Sequence, residues 1–211
     1  MQINPNLQPE LGLSVTEAAR RSQIVAATIE LIAELGYAKT TFARIVERAG
    51  LSSTRMISYH FGTKNELMRV VLSTVIHTKD LFLGERAGAT TDRGALVRAY
   101  IEAEVAFLGA YPVHVRALLE LTGAASEATS DPMFVPLLQD LRFGRLERQL
   151  RQGQREGVFG EFAADVMAMA IAQAVDGVAA RLGTDPELDL ERYGRELAGL
   201  FERATRAGAR D

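Results

Sequence analysis

Between residues 52 and 58 the chain carries Ser52, Ser53, Thr54, Arg55 and Ser58, four hydroxyls and one guanidinium within seven positions. A hydroxyl both donates and accepts, and a guanidinium offers a planar fork of donors. A short helix with such a face, and with Met56, Ile57 and Tyr59 available for packing, is shaped to enter a groove about 12 Å wide and hydrogen-bond to base edges. Arg55 is the one long side chain of the run able to pair bidentately with guanine. Other chemistries have little to work with. Cysteine is absent, which removes disulfides, thiolate metal sites and cysteine nucleophiles together. The histidines, His60, His77 and His114, stand at no metal-ligand spacing, and the chain has no phosphate loop or triad-like grouping. No catalytic residue, metal or cofactor is expected.

Charge is distributed to suit a polyanion at one end. The net charge is −3, but Arg20 to Lys64 holds seven basic residues (Arg20, Arg21, Lys39, Arg44, Arg48, Arg55, Lys64) against three acidic ones (Glu30, Glu34, Glu47). That segment is +4 and the remainder −7. A basic head on an acidic body fits a protein that docks double-stranded DNA with one end.

The elements that must position this run are helices; no strand period is convincing. Ser14 to Glu17 is a capping-box pattern, followed by Ile24, Thr28, Leu31, Ile32 and Leu35 on one helix face, with Gly36 as a stop. Thr41 caps a second helix from about Phe42 to Ala49, ended by Gly50. A third is expected after Leu51, capped by Ser52 or Ser53 and ending near His60. Thr63 to Glu66 is a second capping box, opening a longer helix through Leu67, Val70, Val71, Thr74 and Val75. Two short helices around a glycine-centred turn are the sequence form of a helix-turn-helix.

The run Thr40 to Leu67, TTFARIVERAGLSSTRMISYHFGTKNEL, resembles TetR-type repressors. The landmarks are the Thr-led short helix, Ala-Gly-Leu-Ser at the turn, the aromatic-His-Phe close and Lys64-Asn65-Glu66-Leu67. Asp176-Gly177 and Asp185-Pro186 are similar to one subgroup's penultimate helix and turn. In one departure, the turn-to-Phe61 stretch is a residue longer than in many members, with Ser58 where tyrosine is common; one residue is about 100° of helix rotation. The resemblance implies that Thr41 and Lys64 meet phosphates at helix starts, and that Ser53, Thr54 and Arg55 meet base edges. Ser52 and Ser58 share that exposed face, while Tyr59 and His60 contact the DNA backbone or pack. It also implies a homodimer on a palindromic operator, and a small-molecule effector that moves the fourth helix.

The expected architecture is all-α: a three-helix helix-turn-helix head at 14–62 and a helical effector-binding and dimerisation bundle at 63–208. In the body, Leu96, Ala99, Tyr100, Ala103 and Phe107 form one stripe, and Val97, Ile101, Val105 and Leu108 a second, so this helix is buried on two sides. Pro112 to about Leu121, Asp131-Pro132 to about Glu156, Phe162 to Leu182 and Asp189 to Arg206 complete the helices. The helix at 162–182 is apolar nearly all round, with surplus surface for a partner chain, Val178 included. Tyr100, Glu104, Phe107, Gln173 and Asp176 are candidate effector residues. Glu104 lines a cavity or lies on a wet edge, and Gln173 and Asp176 bind an effector or cross a helix interface. His114 and Tyr111 are expected at the surface, and the arginines 142, 145, 148, 151 and 155 on a solvated face. Residues 1–13 read as a polar arm rather than a signal peptide, and the apolar stretch at 166–182 is too interrupted to span a membrane, so a cytoplasmic place follows. The rivals are a helical-bundle enzyme, a structural protein without DNA binding, and a regulator that activates or answers to a protein.

Overall fold

The caps chosen by the sequence organise the chain. The computed structural model describes residues 14–87, 92–124 and 134–207. Its helices are α1 (Val15–Leu35), α2 (Phe42–Arg48), α3 (Arg55–Phe61), α4 (Lys64–Ala87), α5 (Arg93–Ala110), α6 (Pro112–Ala124), α7 (Phe134–Gln139), α8 (Arg145–Arg155), α9 (Ala164–Leu182) and α10 (Leu190–Thr205). Among the described residues the extended structure is one isolated bridge, Phe159 to Arg206. Both capping boxes form: Ser14 Oγ accepts from Glu17 N–H and Thr63 Oγ1 from Glu66 N–H, each glutamate reaching back. The expected arm at 1–13 and the Asp131-Pro132 helix start lie outside the described residues. The third helix differs from expectation at its start. Its N-cap is Thr54, which makes no side-chain cap bond, and the Ser52 hydroxyl instead donates to the Met56 sulfur at 3.5 Å. The turn from Ala49 to Thr54 takes up the residues that would have formed the extra half-turn.

The described residues fall into two compact units, one within Met1–Val75 and Arg116–Phe134, the other within Ile76–Val115 and Val135–Asp211. The division runs through α4 and α6. In the first unit Ile24, Thr28, Leu31 and Ile32 of α1 are buried as their spacing predicts, while Leu35 at the helix end is exposed. Ile45, Ile57, Phe61, Leu67, Met68 and Val71 join the buried set from α2, α3 and α4. Gly50 takes a φ of +61°, the left-handed conformation that lets the chain turn between α2 and α3.

In the second unit α5 is buried on both stripes. Val97 and Ile101 pack with Leu146 and Leu150 of α8, Ala168 and Ile171 of α9, and Ala198 and Phe201 of α10. Val105 and Leu108 pack with Val175 and Val178 of α9. The helix expected up to Glu156 is interrupted by a π-helical segment, Asp140–Gly144. Arg142 sits there buried, so the arginine row is not one solvated face. A widened turn shifts the side chains after it, which an unbroken 3.6-residue period does not anticipate.

Candidate nucleic-acid interface

α1 builds the interface by holding α2, the turn and α3. The Gln23 amide donates to the Ala49 carbonyl at 2.6 Å, fastening the turn. Arg48 of α2 pairs with Glu34 at 2.5 Å and Glu30 at 3.3 Å. These bonds push the Arg48 guanidinium upward, with the hydrogen bond to Glu34 the leading cause, and draw the Glu34 carboxyl down. Two of the segment's three acids are thus spent on a single arginine. Arg21 is likewise turned inward, donating to the His60 carbonyl and lying over the Phe61 ring. Arg44 of α2 donates to the Lys39 carbonyl at 2.8 Å, tying the helix to the segment before it.

The outward face of the turn and α3 is continuous. Ser52, Ser53, Thr54, Arg55, Ser58 and Tyr59 are exposed, Ile57 and Phe61 are buried, and Met56 and His60 are half-buried. Arg55 and Ser58, three residues apart, share one exposed side of α3. Among the described residues no group accepts from the Arg55 guanidinium. Tyr59 is 76% exposed, and its hydroxyl donates to Glu17 at 3.3 Å. Burial, aided by Arg21, pushes the His60 imidazole below its ordinary range. Thr41 Oγ1 accepts from Arg44 N–H at 3.4 Å as the N-cap of α2. Lys64 is half-buried, its ammonium 4.4 Å from the centre of the Tyr37 ring, and burial lowers its pKa.

The body residues named from the sequence do not gather in one place. Glu104 is not on a wet edge; it is buried and pairs with the Lys79 ammonium at 2.9 Å. Tyr100 is bonded to the same carboxylate, and burial first, then Glu104, holds its phenol well above the ordinary range. Phe107 stacks on Tyr111 at 5.0 Å and meets Phe82 edge-on. His114 is half-buried against the Tyr111 ring, not at the open surface, and burial lowers its pKa. Asp176 accepts from buried Arg142 through both oxygens, at 2.7 and 2.6 Å, so it crosses a helix interface. Gln173 is exposed. Sequence reasoning missed Gln23, Lys79 and the inward roles of Arg21 and Arg142. Each has a polar partner far away along the chain, for which helical spacing carries no signal. Among the described residues no group of three or more acidic or histidine side chains is placed to hold a metal, and no helix is long and apolar enough to cross a membrane.

Residues 24–71 match the family described as bacterial regulatory proteins, tetR family. The HTH-type transcriptional regulator BetI of Stenotrophomonas maltophilia is 33% identical over 87 residues, 41% of this chain and 44% of that protein. The chain thus spans less than half the length of that curated relative. The fatty acid degradation regulator FadR of Bacillus halodurans superposes with a TM-score of 0.72 at 18% identity, over 88% of this chain and 99% of that one. A TetR transcription regulator from Haloarcula marismortui superposes with a TM-score of 0.69 at 22% identity, over 90% and 99%. At these identities the structural likeness speaks to the fold: a helix-turn-helix head followed by a helical domain.

Proposed function

On the match of residues 24–71 to the tetR family of bacterial regulatory proteins, we propose that the chain is a transcriptional regulator of that type, which binds a palindromic operator as a homodimer and is released by a small molecule. The observation that carries the reading is the outward face of Ser52, Ser53, Thr54, Arg55, Ser58 and Tyr59 above buried Ile57 and Phe61. It is small and polar enough for the major groove, and it carries one unengaged guanidinium. In this reading Arg55, Ser53 and Thr54 meet base edges, and Ser52 and Ser58 line the same groove. Thr41, Tyr59, His60 and Lys64 serve the backbone side, where contacts position without reading sequence. The pairing of Glu30 and Glu34 with Arg48 supports it, because it leaves Lys39, Arg44 and Arg55 as cations not offset by a neighbouring carboxylate.

Exposed Val166 and Met169 of α9 and Leu200 of α10 supply the apolar surface for a twofold partner. Two heads then address half-sites about 34–36 Å apart or a multiple of that. Effector contacts are assigned to the body; of Tyr100, Glu104, Phe107, Gln173 and Asp176, the candidates Glu104 and Asp176 are already paired with Lys79 and Arg142, so an effector reaching them would have to join or replace those pairs. An effector need only bind the DNA-incompetent state better. The protein works in the cytoplasm, where its operator is.

Selection of bound sequences from random duplex DNA tests this directly, and a palindrome is the expected result. Affinity for that duplex should fall steeply with salt, as phosphate neutralisation releases counterions. Arg55→Ala should cost about 1–3 kcal/mol and relax preference at one position per half-site, whereas Thr41→Ala weakens all duplexes more evenly. An unselective pool, or a flat salt response, removes the reading.

A further inference from the structure

We propose that Glu17 and Arg21, one turn apart on α1, are positioning residues that hold the reading face of α3 in a single pose; this rests on the DNA-binding reading above. α3 has seven residues and no side-chain cap at its start. An isolated helix of two turns is far below the length that persists in water, so its pose must come from tertiary contacts. Arg21 supplies them at the carboxyl end. Its guanidinium donates to the His60 carbonyl and lies over Phe61, 4.3 Å from the ring centre. A cation there meets the carbonyls that the last turn leaves without intrahelical partners.

Glu17 holds the neighbouring residue. Its Oε1 accepts from the Tyr59 hydroxyl at 3.3 Å. The other oxygen accepts from the Ser14 N–H and hydroxyl at 2.9 and 2.8 Å. The capping box of α1 therefore continues through Glu17 onto α3, as a chain from Ser14 to Glu17 to Tyr59. The held residues, Tyr59, His60 and Phe61, are consecutive; Ser58 directly precedes them and Arg55 stands about one turn before Tyr59. Each residue of slip turns a helix by about 100°, so what fixes the Tyr59–Phe61 end also fixes where Arg55 and Ser58 point. Neither clamp residue has to touch DNA. A carboxylate is repelled by phosphate, and the Arg21 guanidinium is already engaged.

The test uses the full chain, the duplex recovered by selection and a random duplex of equal length, with binding followed by fluorescence anisotropy over a range of salt. Arg21→Ala should weaken the selected duplex about tenfold or more. The random duplex should change little and keep the wild-type salt slope. Arg21→Lys, which retains a cation and a donor, should recover part of the loss. Glu17→Ala should weaken the selected duplex about threefold with Tyr59 present and have no further effect in the Tyr59→Phe background. Wild-type affinity in Arg21→Ala overturns the proposal, as does an equal loss on both duplexes with a shallower salt slope, which would make Arg21 a phosphate contact. If Arg21→Ala unfolds at the assay temperature, the Glu17–Tyr59 cycle decides, and effects that simply multiply overturn the proposal. A wild type that selects no duplex removes the DNA-binding reading instead, so the two failures are distinct.

Discussion

Glu104 accepts from two donors inside the second unit, the Lys79 ammonium at 2.9 Å and the Tyr100 hydroxyl. The Lys79 and Glu104 side chains keep only 8% and 11% of their surface, so water can replace little of what the pair supplies. Glu104→Leu strands an ammonium and a phenol together. Removing one partner of a buried pair costs about 3–5 kcal/mol, since the remaining charge is neither paired nor hydrated. The stranded phenol adds about 1 kcal/mol or more. A destabilisation of about 4 kcal/mol is therefore expected. Lys79→Met should cost about 3 kcal/mol, as the carboxylate retains the Tyr100 donor.

The double variant Lys79→Met/Glu104→Leu separates charge from packing. It removes both ions and fills their space with apolar side chains of similar size, so it should lie within about 1–2 kcal/mol of wild type. Urea unfolding followed by circular dichroism at fixed protein concentration measures all four chains. A chain of this length loses about 2–4 °C in Tm per kcal/mol, so Glu104→Leu should melt about 8–16 °C lower. A Glu104→Leu loss under about 1 kcal/mol, or a double variant less stable than both single ones, would refute the argument that an uncompensated ion sets the cost.

At Gly153 an added Cβ would overlap the Phe159 ring, so Gly153→Ala should cost about 1–3 kcal/mol by overpacking, read from the same unfolding curves. Met169→Glu should weaken self-association in sedimentation while leaving the helical signal intact, because Met169 is 49% exposed on α9. Val178→Arg should instead unfold the second unit at every protein concentration, since Val178 is 4% exposed and packs into its own core. The Arg93 hydrogen bond, with help from Gln152, draws the Glu156 carboxyl from 4.5 to about 2. A carboxyl lowered on folding stabilises fully above its unfolded pKa, so this contribution should be lost as pH falls from 4.5 toward about 2. The melting difference between wild type and Arg93→Gln should shrink over that window.

How much was legible in the sequence follows from the range of the forces involved. Ser14, Thr41, Thr63 and Gly36 act within one turn of their own position, and both capping boxes and the Gly36 stop form where the residues place them. The third helix start is ambiguous in the sequence because Ser52, Ser53 and Thr54 are all plausible caps by type. Here the Ser52 hydroxyl has a competing partner in Met56, and the helix begins only after Thr54. The arginine row failed for a related reason. A π-helical turn brings Arg142 onto Asp176, whereas Arg145, Arg148 and Arg151 remain at the surface. Such a turn leaves no mark in residue type.

The two faces of α9 show why the body was harder to read than the head. In a helix of Ala, Val, Met and Ile, the hydrophobic pattern points nearly everywhere, so residue type alone cannot choose between Val178 and Met169 as the outward side. The choice is made by what α5 presents. Val105 and Leu108 take Val175 and Val178 into one cluster, and Val97 and Ile101 take Ala168 and Ile171 into another. Between the charged ends of the exposed side, Asp165 and Arg181, the residues Val166, Met169, Gln173, Gly177 and Ala180 recur at three- and four-residue steps and are all exposed. That stripe is mostly small or apolar and carries no charge, which is what a helix needs if another is to approach it closely. A charge placed at Met169 therefore strikes association, and one placed at Val178 strikes the fold. Both substitutions place a charge on the same helix, so different responses to protein concentration would establish which face looks outward.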